Sequence, residues 1–418
     1  MHVGKRIKHL RIVKGMSLKE LGKGIVSPTH LSNVENGRYI PSDDIIMELA
    51  TKLDCDIHYL TNSLRPNIEL KNRLKGIFRN IILDEDGCNS DLEMLNKKSI
   101  QNIFQELTLI LLVATKKLKN NVYPKEEINQ LKCYELPEEN IKSIKDNLLI
   151  NSFYYFKAQF YYFNKSFKKS LTFFEILHDA LESDPKLYSA LTYNLSLLEY
   201  LSHYYIRAIQ SAEKALIYNL KSHNWEVCFD LYNIITVIYW RTSDLELALH
   251  YGKKALSIGK SLGTPEVSRI FHNLGNLHLE MNQPDQAEVY YNQAIKVKEK
   301  VGFSTLKTKT QKLKCYLNLK DYERFNKLYV ECESQTQNKK EELILLLLKA
   351  TYLKEKDDVS YIAILENINP LLKKENLMKE YYSSCKILAN HYKEMKSYKS
   401  AFKYSIEINK GLEKKGLW

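Results

Sequence analysis

Glycine and proline are scarce in this chain. Its 418 residues hold 14 glycines and 9 prolines, together about half the usual share. That scarcity argues against a β-sandwich built on tight turns and against an α/β enzyme with many glycine loops, and it predicts a mostly helical protein. Long apolar runs are missing as well. No strictly apolar run exceeds Leu343–Leu348, far below the ~18 residues a membrane span needs. The basic start, Met1 to Lys8, has no apolar stretch behind it, so no signal peptide is expected and the chain is read as cytoplasmic. Seven cysteines, at 55, 88, 133, 228, 315, 332 and 385, include no C-x-x-C pair. An odd, scattered set predicts reduced thiols and offers no zinc site. No paired acid and base, glycine-rich phosphate loop or metal-ligand spacing is visible, so neither enzyme activity nor a cofactor or metal is expected.

What is present fits a packed helical protein. Hydrophobic residues make up 44% and charged residues 27%, enough for a core and too little charge imbalance for disorder. Tyrosine (29) outnumbers phenylalanine (14), so many helix contacts are aromatic with a polar tip. The net charge of +12 is unevenly spread. Residues 1–41 hold eight basic side chains, Lys5, Arg6, Lys8, Arg11, Lys14, Lys19, Lys23 and Arg38, against Glu20 and Glu35, a net +6. A basic end on a helical protein points to a polyanion partner.

The first sixty residues are short helices with close punctuation. Val3, Ile7, Leu10 and Val13 recur at helical spacing until Gly15. Ser17 and Glu20 form a capping box ahead of Leu18 and Leu21. Ser27-Pro28 opens a third helix, the hydroxyl as cap and proline where its missing N–H costs nothing. Leu31 and Val34 face inward and Asn36-Gly37 ends it. Ser42 caps a fourth helix with Ile45, Ile46, Leu49, Ala50 and Leu53, and a fifth carries Ile57 and Leu60. Two helices joined by a short turn inside a five-helix basic unit form a helix-turn-helix.

The set Ile7-x-x-Leu10-Arg11, Gly15-Met16-Ser17-x-x-Glu20-Leu21, Leu31-Ser32-x-x-Glu35-Asn36-Gly37 and Pro41-Ser42 resembles the phage-repressor-like (Xre/Cro) DNA-binding domain. The match covers roughly residues 3–64. It departs at Leu18, where the family often has a phosphate-contacting glutamine. A double-stranded DNA operator is therefore the expected partner. The helix from Ser27 would enter the major groove with Pro28, Thr29, Ser32 and Asn33 outward; Thr29 and Asn33 are the best base readers. His30 lies at the edge, and Lys19, Lys23 and Arg38 are phosphate candidates. The resemblance implies that Arg11 pairs with Glu35 and is structural.

The remaining chain repeats. Small residues of a first helix are expected at Ala158, Ser196, Thr236, Gly275, with Leu313, Ala350 and Ala389 in register. Partners follow twelve later at Ser170, Ala208, Ala248, Ala287, Phe325, Ile362 and Ala401. The intervals run 38, 40, 39, 38, 37 and 39. Asn273-Leu-Gly275 followed by Ala287, Tyr291 and Ala294 resembles the tetratricopeptide repeat, in which two helices cross closely at small residues. Leu313, Phe325 and Ile362 make repeats five and six degenerate. The expected organisation is all-α: residues 1–65 a five-helix DNA-binding domain, 66–150 linker helices at 68–83, 91–119, 124–133 and 138–150, and 151–418 a tetratricopeptide solenoid of about seven repeats.

Stacked hairpins line a groove mainly with their first helices. With the small residue as position 8, positions 2, 5, 6, 9, 12 and 13 offer Tyr193, Asn194 and Tyr200; Asn233, Trp240 and Arg241; and Arg269, His272, Asn273 and Asn276. An asparagine amide both donates and accepts, so a series of them can hold an extended peptide backbone. Arg241 and Arg269 are candidates for a carboxylate. A helix-turn-helix fused to so long an array resembles the RRNPP group of peptide-sensing regulators, its NprR and Rap branches most. That resemblance implies a homodimeric transcription regulator of Gram-positive bacteria that takes part in quorum sensing by binding a short re-imported signalling peptide. An alternative stays open, in which the solenoid binds a protein partner such as a response regulator.

Overall fold

The computed structural model describes residues 3–413 apart from 62–64, 66, 86–91, 93–94, 96–99, 135–140 and 142–143, and only the backbone of 411–413. The cysteine at 88, and parts of the linker helices expected at 91–119 and 138–150, lie outside the described residues. Every regular element among the described residues is an α-helix. None of those helices is long and apolar enough to cross a membrane. The chain divides into two compact units, Met1–Asn224 and Trp225–Trp418.

The first unit opens with α1 (Val3–Val13), α2 (Leu18–Gly22), α3 (Pro28–Glu35), α4 (Asp43–Lys52) and α5 (Ile57–Thr61). Their core is Ile7, Leu21, Leu31, Val34, Ile46, Leu49, Leu53 and Leu60. The capping box forms in both directions, Ser17 Oγ accepting from Glu20 N (3.2 Å) and Glu20 Oε2 from Ser17 N (2.6 Å). Two local expectations fail. Val13 is exposed, because α1 ends there and its side chain has turned off the core stripe. Ser42 stands at the cap position but makes no side-chain bond; Asp43 and Asp44 in the first turn complement the helix dipole instead.

Next come α6 (Ile68–Leu83), α7 (Ile103–Lys119) and α8 (Lys125–Cys133). Asn67 caps α6, its side chain accepting from Leu70 N at 3.0 Å. Helix α7 is buried on nearly every side. Two hairpins complete the unit: α9 (Asn147–Phe163) with α10 (Phe167–Ala180), and α11 (Pro185–Leu201) with α12 (Tyr205–Lys221).

The second unit is five hairpins: α13 (Trp225–Arg241) with α14 (Leu245–Leu262), α15 (Val267–Glu280) with α16 (Pro284–Lys300), α17 (Leu306–Asn318) with α18 (Tyr322–Ser334), α19 (Lys339–Glu355) with α20 (Ser360–Lys374), and α21 (Met378–Glu394) with α22 (Tyr398–Glu413). The small positions sit at the crossings. Ser170 Oγ donates to Ala158 O at 2.8 Å, and a Cβ on Gly275 would lie 2.5 Å from the Tyr291 ring. In the fifth repeat Leu313 and Phe325 are buried in those places, and both its helices shorten to 13 residues.

Each hairpin turns on a left-handed residue that is not glycine: Lys165, His203, Ser243, Asn282, Lys320, Asp357 and Lys396, with φ between 54° and 67°. Each lies seven residues after the small position, so the backbone repeats the same intervals as the sequence. The following N–H closes on the carbonyl five residues back, from Ser166 to Tyr161 (2.8 Å) through Ser397 to Tyr392 (2.8 Å). This is a Schellman-type end that satisfies helix carbonyls. It explains how so many hairpins are made with so little glycine.

Candidate functional site

In the first unit the candidate surface is α3. Ser27 Oγ accepts from His30 N at 3.2 Å and holds Pro28 at the first helical position. Leu31, Val34 and Glu35 face the core, which turns Pro28 and Thr29 out as exposed residues and leaves Ser32 and Asn33 half-buried at the rim. Asn36 Nδ2 reaches Ser32 Oγ at 3.4 Å. The His30 ring rests edge-on against Tyr39 at 4.4 Å, a packing contact at the helix flank. Lys19, Lys23 and Arg38 are exposed. The Lys23 carbonyl accepts from Lys52 Nζ at 2.6 Å, which brings a fourth basic side chain to that side.

Two of the eight basic residues counted at this end belong to the interior. Arg11 meets Glu35 with two bonds, 2.6 and 2.8 Å, and donates to Met16 O at 2.9 Å. Arg6 is fully buried. Its guanidinium pairs with Glu106 on α7 (Nη2 to Oε2 2.7 Å), donates to the carbonyls of Tyr59 and Gln101, and lies 4.0 Å from the Tyr59 ring centre. Glu106 also accepts from the hydroxyls of Tyr59 and Tyr134. Burial foremost, then the Glu106 charge, pushes both phenols well above their ordinary range. The helix-turn-helix is therefore bolted to α7 through a satisfied buried ion pair. Arg6 was counted with the surface charge because its partner lies a hundred residues away.

The predicted peptide-holding residues divide between the units. In the first, Asn194 is half-buried and its Nδ2 donates to Ala190 O on its own helix (2.9 Å). Tyr193 and Tyr200 are half-buried. In the second unit the residues meet one another. Asn273 Nδ2 donates to Asn233 Oδ1 at 2.8 Å, joining α15 to α13. Asn276 Oδ1 accepts from Tyr291 Oη (2.7 Å). Trp240 Nε1 donates to Glu280 (2.7 Å), and Arg241 lies 5.7 Å from the Trp240 ring.

Two predicted residues are placed differently from the expectation. Arg269, offered for a ligand carboxylate, is held by Asp230 (2.9 Å) and Glu266 (2.8 Å). His272 is buried beneath the face, its Nδ1 3.2 Å from Thr308 Oγ1. Thr308 accepts from Lys298 Nζ at 2.9 Å, leaving its hydroxyl proton for an unprotonated His272. Burial, then Lys298 and Lys307, lower the His272 pKa to about 4. Gln311 on α17 stands at the same repeat position as Asn194 and Asn273, a correspondence that only the repeat register marks.

Residues 7–60 match the helix-turn-helix family and residues 229–300 the tetratricopeptide repeat family. No curated protein sequence matches significantly. Among solved structures the chain is similar to the apo form of the quorum sensor NprR from B. thuringiensis, with TM-score 0.68 and 17% identity over 82% of this chain and 98% of that one. Apo RapI follows at TM-score 0.65 and 16% identity, over 82% and 99%. A Rap protein complexed with competence and sporulation factor gives 0.60 and 17%, over 84% and 99%. The chain thus carries a helix-turn-helix match ahead of a tetratricopeptide match, and it shares its fold with NprR and the Rap proteins.

Proposed function

We propose that this chain is a DNA-binding transcription regulator whose tetratricopeptide region senses a short signalling peptide. The observation that carries the sensing half is the Asn273–Asn233 bond. It uses one N–H of Asn273 and one lone pair of Asn233. The Asn273 carbonyl and the Asn233 amide protons are left available, an acceptor and a donor from neighbouring helices. One residue of an extended peptide presents its N–H and C=O on the same side, so it complements such a pair whatever its side chain. For the DNA half, α3 exposes Pro28 and Thr29 and keeps Ser32 and Asn33 at its rim, and the exposed Lys19, Lys23 and Arg38 would contact phosphates. Reading a near-palindrome would take two heads, so the working form is a homodimer. A response regulator in place of the peptide is the competing reading.

Both halves are tested on the full chain. Asn33→Ala relaxes sequence preference in a duplex selection, losing about 1–3 kcal/mol at the base it reads, whereas Lys23→Ala weakens all duplexes alike and lowers the salt slope. Calorimetry with peptides encoded beside the gene shows binding that Asn273→Ala weakens by about 1–3 kcal/mol. Unchanged affinity in Asn273→Ala and Asn233→Ala refutes the asparagine pair as the grip.

A further inference from the structure

Helix α17 carries four lysines, Lys307, Lys309, Lys312 and Lys314, whose surroundings differ. Lys309 is buried against Glu331 (2.7 Å) and Glu299 (3.7 Å). Lys312 lies 3.6 Å from Glu288. Lys314 is part-buried and forms no ion pair among the described residues. Burial, and then the neighbouring Lys379, hold its pKa below the ordinary lysine value; Glu380 and Glu280 act against this more weakly, and Glu280 is already engaged by Trp240. A half-desolvated ammonium beside a second ammonium is costly unless an anion joins it.

The helix register says where that ammonium stands. Lys307, Gln311 and Lys314 are spaced i, i+4, i+7 and share one stripe of α17. In the repeat they fall at positions 2, 6 and 9, the positions of Arg269, Asn273 and Asn276 on α15. The region around this stripe is positive for a second, independent reason. His272 on α15 and Lys298 on α16 both have their pKa lowered by burial and by Lys307. Arg269, the cation one repeat earlier, is already neutralised by Asp230 and Glu266. Lys307 and Lys314 thus have no ion pair among the described residues, and Lys314 is the part-buried one of the two, next in register to the asparagine pair.

We infer that Lys314, with Gln311 and Lys307 on the same stripe, is an anion subsite of the peptide face and takes a carboxylate of the bound peptide. This rests on the peptide reading above and adds an end to it. The asparagine pair grips the backbone without reading side chains, and Lys314 selects for negative charge. An ammonium–carboxylate contact in a desolvated site is charge-assisted and stronger than a neutral one. The carboxylate can be the free C-terminus or an aspartate or glutamate side chain.

The test offers the full-length protein three pools of random heptapeptides: free acids lacking Asp and Glu, C-terminal amides containing Asp and Glu, and C-terminal amides lacking them. Retained peptides are identified by mass spectrometry and titrated by calorimetry. The third pool is not retained. Retention of the first assigns the C-terminus, and retention of the second assigns an acidic side chain. Lys314→Met weakens the retained peptides about tenfold or more, Lys314→Arg keeps them, and rising salt weakens wild type more than Lys314→Met. Thermal melts of both variants confirm the fold. Equal retention of the third pool, or Lys314→Met binding as wild type does, overturns the subsite and leaves peptide binding standing. Retention of no pool overturns the subsite together with the peptide reading.

Discussion

The chain withdraws cationic side chains from water in both units, and it does not compensate them all alike. In the first unit Arg6 is enclosed completely, yet each face of its guanidinium is answered: a carboxylate, main-chain carbonyls and an aromatic ring, with two tyrosine hydroxyls completing Glu106. In the second unit Lys309 is likewise compensated, by Glu331 and Glu299, but Lys298 and Lys314 are partly withdrawn from water with positive neighbours and no ion pair among the described residues, and burial beside Lys298 and Lys307 favours the uncharged form of His272. A compensated buried ion holds structure in place, here the DNA-reading head on α7. An uncompensated one is a standing cost, tolerated where something else supplies the missing charge.

That contrast can be broken at several points. The largest effect is expected at Glu106. Glu106→Leu leaves Arg6 buried and unpaired and should lose about 3–5 kcal/mol of unfolding free energy, while adding Arg6→Met should recover most of it. Denaturant titration followed by tryptophan-independent circular dichroism reads this. A single variant as stable as wild type would show that the pair carries no structural weight.

His272 gives the next effect, and its sign is fixed by the direction of the shift. Its pKa falls from 6.5 to about 4 in the folded chain. As pH drops below 6.5 the unfolded chain takes up this proton and the folded chain does not, so stability declines across that window. The loss approaches about 3 kcal/mol near pH 4. His272→Gln should flatten that part of the stability profile relative to wild type. Parallel profiles for the two proteins would remove His272 from the account.

Lys314→Met sharpens the comparison from the other side. Removing an uncompensated charge should leave peptide-free stability unchanged or raise it by up to about 1 kcal/mol, the opposite of what removing Glu106 does. A clear loss would place Lys314 among the structural cations. The smallest effect is expected at the turns that both units share. Lys165→Gly in the first and Lys320→Gly in the second relieve a left-handed backbone, each worth about 0.5–1 kcal/mol. Similar melting shifts in both would show the turn to be a local device, indifferent to its unit.

The helices of the head were legible because their signals are local. The Ser17–Glu20 box, Ser27-Pro28 and Asn36-Gly37 each act over a few residues, and the structure realises all of them. The crossing points of the repeats were legible for a different reason: a fixed period makes weak signals add, so even Leu313 and Phe325 could be placed. What escaped depended on distant partners. Arg269 reads as a free cation until α13 brings Asp230 to it, and His272 reads as surface until α17 covers it with Thr308.

The sequence by itself determined the helical class, the helix-turn-helix and the 37–40-residue period, because capping, glycine and proline placement and hydrophobic spacing act within one or two turns of chain. Only the tertiary structure decided which charges are spent inside the molecule and which remain for a ligand. A charge is neutralised through space, and its partner can lie a hundred residues away, as Glu106 does from Arg6, where no spacing rule reaches.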